Sequence, residues 1–189
     1  MSSHLRRDVE SALSLTDFAV LGLLAERPSH GFALAKLLDS SGPVGRVLTV
    51  RRPLVYRALD RLVDQGDAEA ITIEAGDAGP DRVVHQVTAA GRQRLSAWLE
   101  APVAHVRDIR LGLLLKLTLL ERARRSPRAL IVRQRRALRP MLTALEEAAA
   151  NSGDIVERWR LHNARAAAAF LDDLADLRGV ASRSTPVSD

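Results

Sequence analysis

Pro53-Leu-Val-Tyr-Arg-Ala-Leu-Asp-Arg-Leu-Val-Asp-Gln-Gly66, followed after three residues by Ala70-Ile-Thr-Ile-Glu74, is where the chain changes period. In the first stretch Val55, Ala58, Leu59 and Leu62 recur at three- and four-residue spacing. Pro53 suits a first helical turn and Gln65-Gly66 a helix end. The second stretch alternates apolar and polar residues as a strand does. Gly76-Asp-Ala-Gly-Pro80 is a turn-rich connector, and Arg82-Val-Val-His-Gln-Val87 is a second β run, so the pair reads as a hairpin. Thr88 is placed to cap a helix running through Arg92, Leu95, Trp98 and Leu99 to the stop at Ala101-Pro102.

Upstream, Ser14-Leu-Thr-Asp17 fits a capping box. Phe18, Leu21, Leu24 and Ala25 then keep helical spacing until Pro28. Ser29-His-Gly31 restarts a helix whose stripe comprises Phe32, Leu34, Ala35, Leu37 and Leu38, up to the breaker Ser40-Ser-Gly-Pro43. Val47 to Val50 leans towards β structure. Three short helices, a hairpin and a fourth helix follow one another in the order of a winged helix-turn-helix, so the expected fold is mainly α with a small β-hairpin wing.

From residue 107 the pattern is nearly all helical. Ile109 to Leu120 is densely apolar. Ser126-Pro127 opens a long helix through Leu130, Leu138, Met141, Leu142 and Leu145, which Asn151-Ser-Gly153 ends. Asp154 and Glu157 fit the start of a last helix, in which Ile155, Trp159, His162, Ala166, Phe170, Leu174 and Leu177 form a stripe close to a heptad seam. Such a seam wants a partner, either the winged helix or a second copy. The expected organisation is an N-terminal arm over 1–13, a winged helix-turn-helix domain over 14–102, a helical dimerisation region over 103–178 and a disordered tail over 179–189.

With 189 residues, 47% of them hydrophobic, the chain can bury a core, and with no cysteine it has no disulfide frame, thiolate chemistry or Cys-based zinc site. No Sec-type start is evident and no apolar run approaches the ~20 residues that span a bilayer, so a soluble cytoplasmic protein without membrane contact is expected. A Gly-rich phosphate loop, HExxH and a nucleophile elbow are missing, and the five histidines lack ligand spacing, so no enzyme, cofactor or metal site is expected. The formal charge is +5. It is uneven: residues 1–100 hold 12 Lys and Arg against 13 Asp and Glu, whereas residues 101–189 hold 16 against 10. With aromatic residues at 3%, a surface stacking successive single-stranded bases is disfavoured, which leaves duplex DNA.

These stretches resemble the PadR-like bacterial transcriptional regulators from about Leu15 to Leu177. The carriers are Thr16 to Leu38 with its Pro28-Ser-His-Gly31-Phe32 turn, Tyr56-Arg-Ala-Leu-Asp-Arg-Leu62 with Gly66, and Arg82 to Leu99. The resemblance implies a homodimer whose C-terminal helices swap over the partner and hold two winged helices for an inverted-repeat operator. It further implies repression, in many members relieved by a small molecule. Arg51-Arg-Pro-Leu54 departs from the small hydroxyl or glycine residues common before the third-helix Tyr, and His85 stands where an aromatic residue is frequent.

In a helix-turn-helix the N-terminal end of the second helix lies nearest the bases. Arg46, Arg51, Arg52, Arg57 and Arg61 cluster there against Asp60, and Arg can grip guanine or phosphate. The competing reading is solvated or ion-paired arginine, with Asp60 and Asp64 as partners. Tyr56 can reach a phosphate or simply pack. Arg82 can touch the backbone from the wing or face water. The densest basic run, Arg122 to Arg139, is either a charged solvated face or a surface for nucleic acid, lipid or an acidic partner; the last makes a non-enzymatic helical adaptor the alternative function. In the family an aromatic residue of the post-wing helix can line a ligand cavity. Trp98, and with it Trp159, is therefore a candidate for stacking on a small hydrophobic effector, against the reading of core packing.

Overall fold

The computed structural model describes residues 13–76 and 79–181, with side chains omitted over 74–80 and 177–181. Helix α1 (Leu15–Glu26) begins at the expected capping box. The Asp17 backbone N–H donates to Ser14 Oγ at 3.3 Å, and Asp17 Oδ2 accepts from the Ser14 backbone N–H at 2.7 Å. Every residue from Asp17 to Leu24 is buried, so α1 is wrapped on all sides rather than along one stripe.

After Pro28 two residues, Ser29–His30, form β1, and helix α2 (Gly31–Leu38) follows. His30 caps α2, its Nδ1 accepting from the Ala33 backbone N–H at 3.2 Å. Leu34 and Leu38 are buried, whereas Phe32, two positions before Leu34, lies off that face and is half-buried. The β-leaning stretch Val47 to Val50 is not a strand. Val47 and Leu48 N–H donate to Val44 O at 2.9 and 3.1 Å, and Val50 N–H returns to Leu38 O at 2.9 Å. Local turns thus consume the groups a ladder would need, and β propensity without a neighbouring edge yields to them.

Helix α3 (Arg52–Asp64) starts at Pro53 in its first turn and buries Val55, Ala58, Leu59 and Leu62. Gly66, at φ +73°, makes the left-handed exit into β2 (Ala68–Gly76). Strand β3 (Gly79–Val87) lies between β2 and β1 in an antiparallel sheet of order β1-β3-β2. The pairing of Ser29 with His85 and His30 with Val84 was not expected from sequence: two residues show no alternation. Both strands run further into the Gly76–Pro80 connector than expected, and residues 77–78 lie outside the described residues.

Thr88 caps helix α4 (Ala89–Glu100) as expected, its Oγ1 accepting from the Gly91 N–H at 3.1 Å. Beyond a 3-10 turn at Val106–Asp108 and a π-turn at Ile109–Leu113 come α5 (Leu114–Arg122), α6 (Arg128–Ser152) and α7 (Ile155–Ala181). The chain divides into two compact units. One takes in the chain up to Leu99 with Leu114–Arg125, the other Glu100–Leu113 with the chain from Ser126. In the first, α5 packs beside α1, where a Cβ on Gly22 would stand 2.7 Å from Leu119 Cδ1. In the second, Leu145, Leu161 and Ala164 form a core with Met141, Leu142 and Val106 around them.

The last helix faces inward with Leu161, Ala164, Ala167 and Leu171. The stripe expected as a seam faces outward: Ile155 is 80% exposed, Trp159 69% and Phe170 36%, with His162 and Ala166 exposed beside them. Leu174 is half-buried, and the side chain of Leu177 lies outside the described residues. Residues 179–181, expected in the tail, continue the helix; the rest of the tail and the arm over 1–12 lie outside the described residues.

Candidate nucleic-acid interface

The amphipathic division of α3 decides what the site can present. Its buried Val55, Ala58, Leu59 and Leu62 fix the helix against the fold, and the opposite face is left to Arg52, Tyr56, Arg57 and Asp60. Arg51 is the N-cap and makes no side-chain cap, so its guanidinium is exposed at the helix start beside Arg52. The helix dipole adds positive character at the same end.

Tyr56 is 41% exposed, and its ring lies over Gly31, where a Cβ would stand 2.7 Å from the ring. Only glycine permits that approach, and it seats the phenol between α2 and α3. Arg52 lies 4.8 Å from the Phe32 ring centre and 6.0 Å from that of Tyr56. Arg82, on β3 of the wing, lies 5.5 Å from the same Phe32 ring. The fold therefore brings Arg52, Tyr56 and Arg82 to one cleft, together with His30, Phe32 and Asp60. His85 lines it too; burial holds its imidazole below the ordinary histidine value, opposed by its Val83 backbone hydrogen bond and by Asp60.

Arg61 is placed differently. Its Nη1 lies 2.6 Å from Oδ2 of the fully buried Asp17, the carboxylate that also closes the α1 capping box. Asp60 and Asp64, weighed as partners from sequence, make no ion pair among the described residues; the partner comes from 44 residues upstream. Arg46 and Arg57 are exposed, Arg46 in the turn region between α2 and α3. Phe32, Lys36 and His30 were missed by sequence reasoning. For Phe32 a signal exists, since its spacing from Leu34 takes it off the buried face.

The basic run of the second half is partly consumed within the fold. Arg122 holds Glu26 through two bonds of 2.7 and 2.6 Å, Arg133 donates to the Glu100 carbonyl at 2.8 Å, and Arg135 pairs with Asp172 at 2.6 Å. Arg124, Arg125, Arg128, Arg136 and Arg139 are exposed. Trp98, in the first unit, stacks on Phe18 with ring centres 4.3 Å apart and planes 7° apart, and Lys116 Nζ lies 4.7 Å from its ring centre. Trp159, in the second unit, presents its ring to solvent. Among the described residues no cluster of three or more His, Cys, Asp or Glu could hold a metal, and no helix is long and apolar enough to cross a membrane.

A three-helix core with a hairpin wing and a basic, outward-facing third helix defines a winged helix-turn-helix. Residues 20–97 match the sequence profile of the transcriptional regulator PadR-like family. The probable transcriptional regulator Rv1176c of Mycobacterium tuberculosis is 29% identical over 89 residues, 47% of this chain and 46% of that protein. The match thus spans about half the length of the curated relative. Among solved structures, Bacillus subtilis PadR in complex with operator DNA is 16% identical, covering 84% of this chain and 97% of that one with a TM-score of 0.44. Bacillus subtilis PadR in a second structure is 18% identical, covering 88% and 98% at 0.40. The smu.1604c protein of Streptococcus mutans is 15% identical, covering 83% and 96% at 0.41.

Proposed function

We propose that the protein is a cytoplasmic, homodimeric transcriptional regulator that binds double-stranded DNA sequence-specifically and represses from an inverted-repeat operator. The observation that carries this reading is the outward face of α3, whose N-terminal end presents Arg51, Arg52, Tyr56 and Arg57 to solvent with Arg82 of the wing beside it. In this reading the start of α3 enters the major groove, Arg51, Arg52 and Arg57 contact bases or phosphates, and Arg82 and Arg46 hold the flanking backbone. Arg61 serves the fold first, through Asp17.

The second copy covers the exposed stripe of α7, where Ile155, Trp159 and Phe170 leave apolar surface in water that a self-complementary helix pair would bury. The two copies then set the separation of their recognition helices to successive major grooves one turn, ~34 Å, apart. A small hydrophobic effector acts by binding better to a dimer with a different separation. Of the two tryptophans, Trp159 has the open ring, while Trp98 stacks on Phe18 and would have to part from it to accept a ligand.

Selection of bound duplexes from a random double-stranded pool, with the mass in solution measured in the same buffer, tests the reading. An enriched inverted repeat bound by a dimer is the expected result. Arg51→Ala with Arg52→Ala should then weaken binding and flatten the log-salt slope by about one for each phosphate that is no longer neutralised. Unchanged affinity and slope would remove the recognition role from this helix end.

A further inference from the structure

Three cations from three elements surround one half-buried aromatic ring. Lys36 Nζ of α2 and the Arg52 guanidinium of α3 each lie 4.8 Å from the Phe32 ring centre, and the Arg82 guanidinium of β3 lies at 5.5 Å. The ring is a wall between two clefts. Arg82 and Arg52 line one with Phe32, and Lys36 and Arg52 line the other. Asp60 and Asp81 line the first cleft and Asp39 the second, yet among the described residues neither Arg52 nor Arg82 is in an ion pair. Three like charges gathered this way repel one another unless an anion joins them.

The chemistry of the ring explains why an aromatic residue suits the place. A guanidinium held over a π face is restrained by the ring quadrupole. Its N–H donors lie in the guanidinium plane and are not consumed by that contact, as they would be by a carboxylate. Stacking therefore fixes an arginine while leaving it able to grip a phosphate, and it removes part of the ordering cost that a free side chain bears on binding. One ring does this for arginines from the recognition helix and from the wing, elements that otherwise reach DNA independently.

We infer that Phe32 is a positioning residue of the DNA-binding face: its ring holds Arg52 and Arg82, with Lys36 beside them, around a seat for a backbone phosphate of duplex DNA. The inference rests on the DNA-binding reading above. Phe32 itself touches no phosphate; it acts through the cations it orders.

The test is a double-mutant cycle read by fluorescence anisotropy on a labelled duplex that the protein itself enriches from a random double-stranded pool, at several salt concentrations. Phe32→Leu keeps the apolar bulk and removes the π face, whereas Phe32→Tyr keeps both. Phe32→Leu should weaken binding about fivefold, and Phe32→Tyr should stay within about twofold of the parent. The log-salt slope should be unchanged by Phe32→Leu, because the same cations still meet phosphates, and should fall with Arg52→Ala and Arg82→Ala. In the Arg52→Ala, Arg82→Ala background, Phe32→Leu should cost less than about twofold, since its partners are gone. A loss that persists undiminished in that background, or that Phe32→Tyr shares, would overturn the positioning role and leave DNA binding standing. Arginine variants with unchanged affinity and slope, or no enriched duplex at all, would overturn the DNA-binding reading itself. Circular dichroism of each variant separates these outcomes from misfolding.

Discussion

Lys116 should titrate far below an ordinary lysine, and its charge should burden the folded state. The side chain sits on α5 with 3% of its surface exposed, its Nζ 4.7 Å from the Trp98 ring centre. Burial lowers its pKa from 10.5 to about 8. At 1.36 kcal/mol for each pKa unit, that displacement penalises the ammonium form by about 3 kcal/mol. The Trp98 face works the other way and favours the ammonium by about 0.5–2 kcal/mol, so a net penalty of about 1–3 kcal/mol is expected. Because the folded pKa lies below the unfolded one, the unfolded chain binds more protons between about pH 8 and 10.5, and this group's contribution to stability rises with pH across that window. The sequence offers a clean assay, since Lys36 and Lys116 are its only lysines. A sample labelled with 13C at lysine Cε gives two resonances, and Lys36→Arg assigns the remaining one to Lys116, whose midpoint should fall clearly below 10.5. In parallel, urea denaturation of the parent and of Lys116→Met should show a stability difference that shifts towards the parent by about 1–3 kcal/mol between neutral pH and pH 10.5. A Lys116 midpoint at or above 10.5, or a stability difference indifferent to pH, would refute the reasoning.

Other substitutions probe the interactions that place the site. Asp17→Ala removes the carboxylate half of the α1 capping box and the Arg61 pair together and should lower stability by about 2 kcal/mol by denaturant titration. Arg61→Ala, at a side chain 46% exposed, should cost less than half as much because the cap survives. Gly31→Ala sets a methyl group against the Tyr56 ring and should cost about 1 kcal/mol in thermal melts, with Tyr56→Ala cancelling most of that penalty if the ring is the obstacle. Gln134, 2% exposed, accepts from the Val103 N–H at 2.7 Å and donates to its carbonyl at 3.1 Å. Gln134→Leu should therefore cost about 1–3 kcal/mol, read as loss of the helical signal of α6 and α7 at lower denaturant.

Most of the fold was legible because its elements announce themselves locally. Ser14 with Asp17, Pro53, Gly66, Thr88 and Gly153 each mark a terminus through a hydrogen bond or a φ angle made within a few residues, and such signals survive in a single sequence. What was not legible depends on partners distant in the chain. Ser29–His30 is a strand only because β3 offers it an edge, and Val47 to Val50 is not one because no edge is offered. Of the site, the basic start of α3 could be read from spacing alone, but its division of labour could not. Nothing near Arg61 in sequence points to Asp17, and nothing near Arg82 points to Phe32.

The charge of the chain shows why local geometry, not the sum, has to decide the binding face. The first half carries a slight excess of acid and the second half a large excess of base, so net charge alone would favour the Arg122–Arg139 run as the anion-binding surface. Yet in that run Arg122, Arg133 and Arg135 are already bonded to Glu26, Glu100 and Asp172. Arg52 and Arg82 are instead held on an aromatic ring, which neutralises nothing. An arginine bound to a carboxylate must exchange one anion for another to meet a phosphate, and gains little. An arginine held on a π face gains the full charge-assisted bond. Arg52 and Arg82 should therefore attract a phosphate more strongly than Arg122, Arg133 or Arg135, and affinity for duplex DNA should fall more steeply with Arg52→Ala than with Arg135→Ala, a comparison that anisotropy on one duplex can make directly.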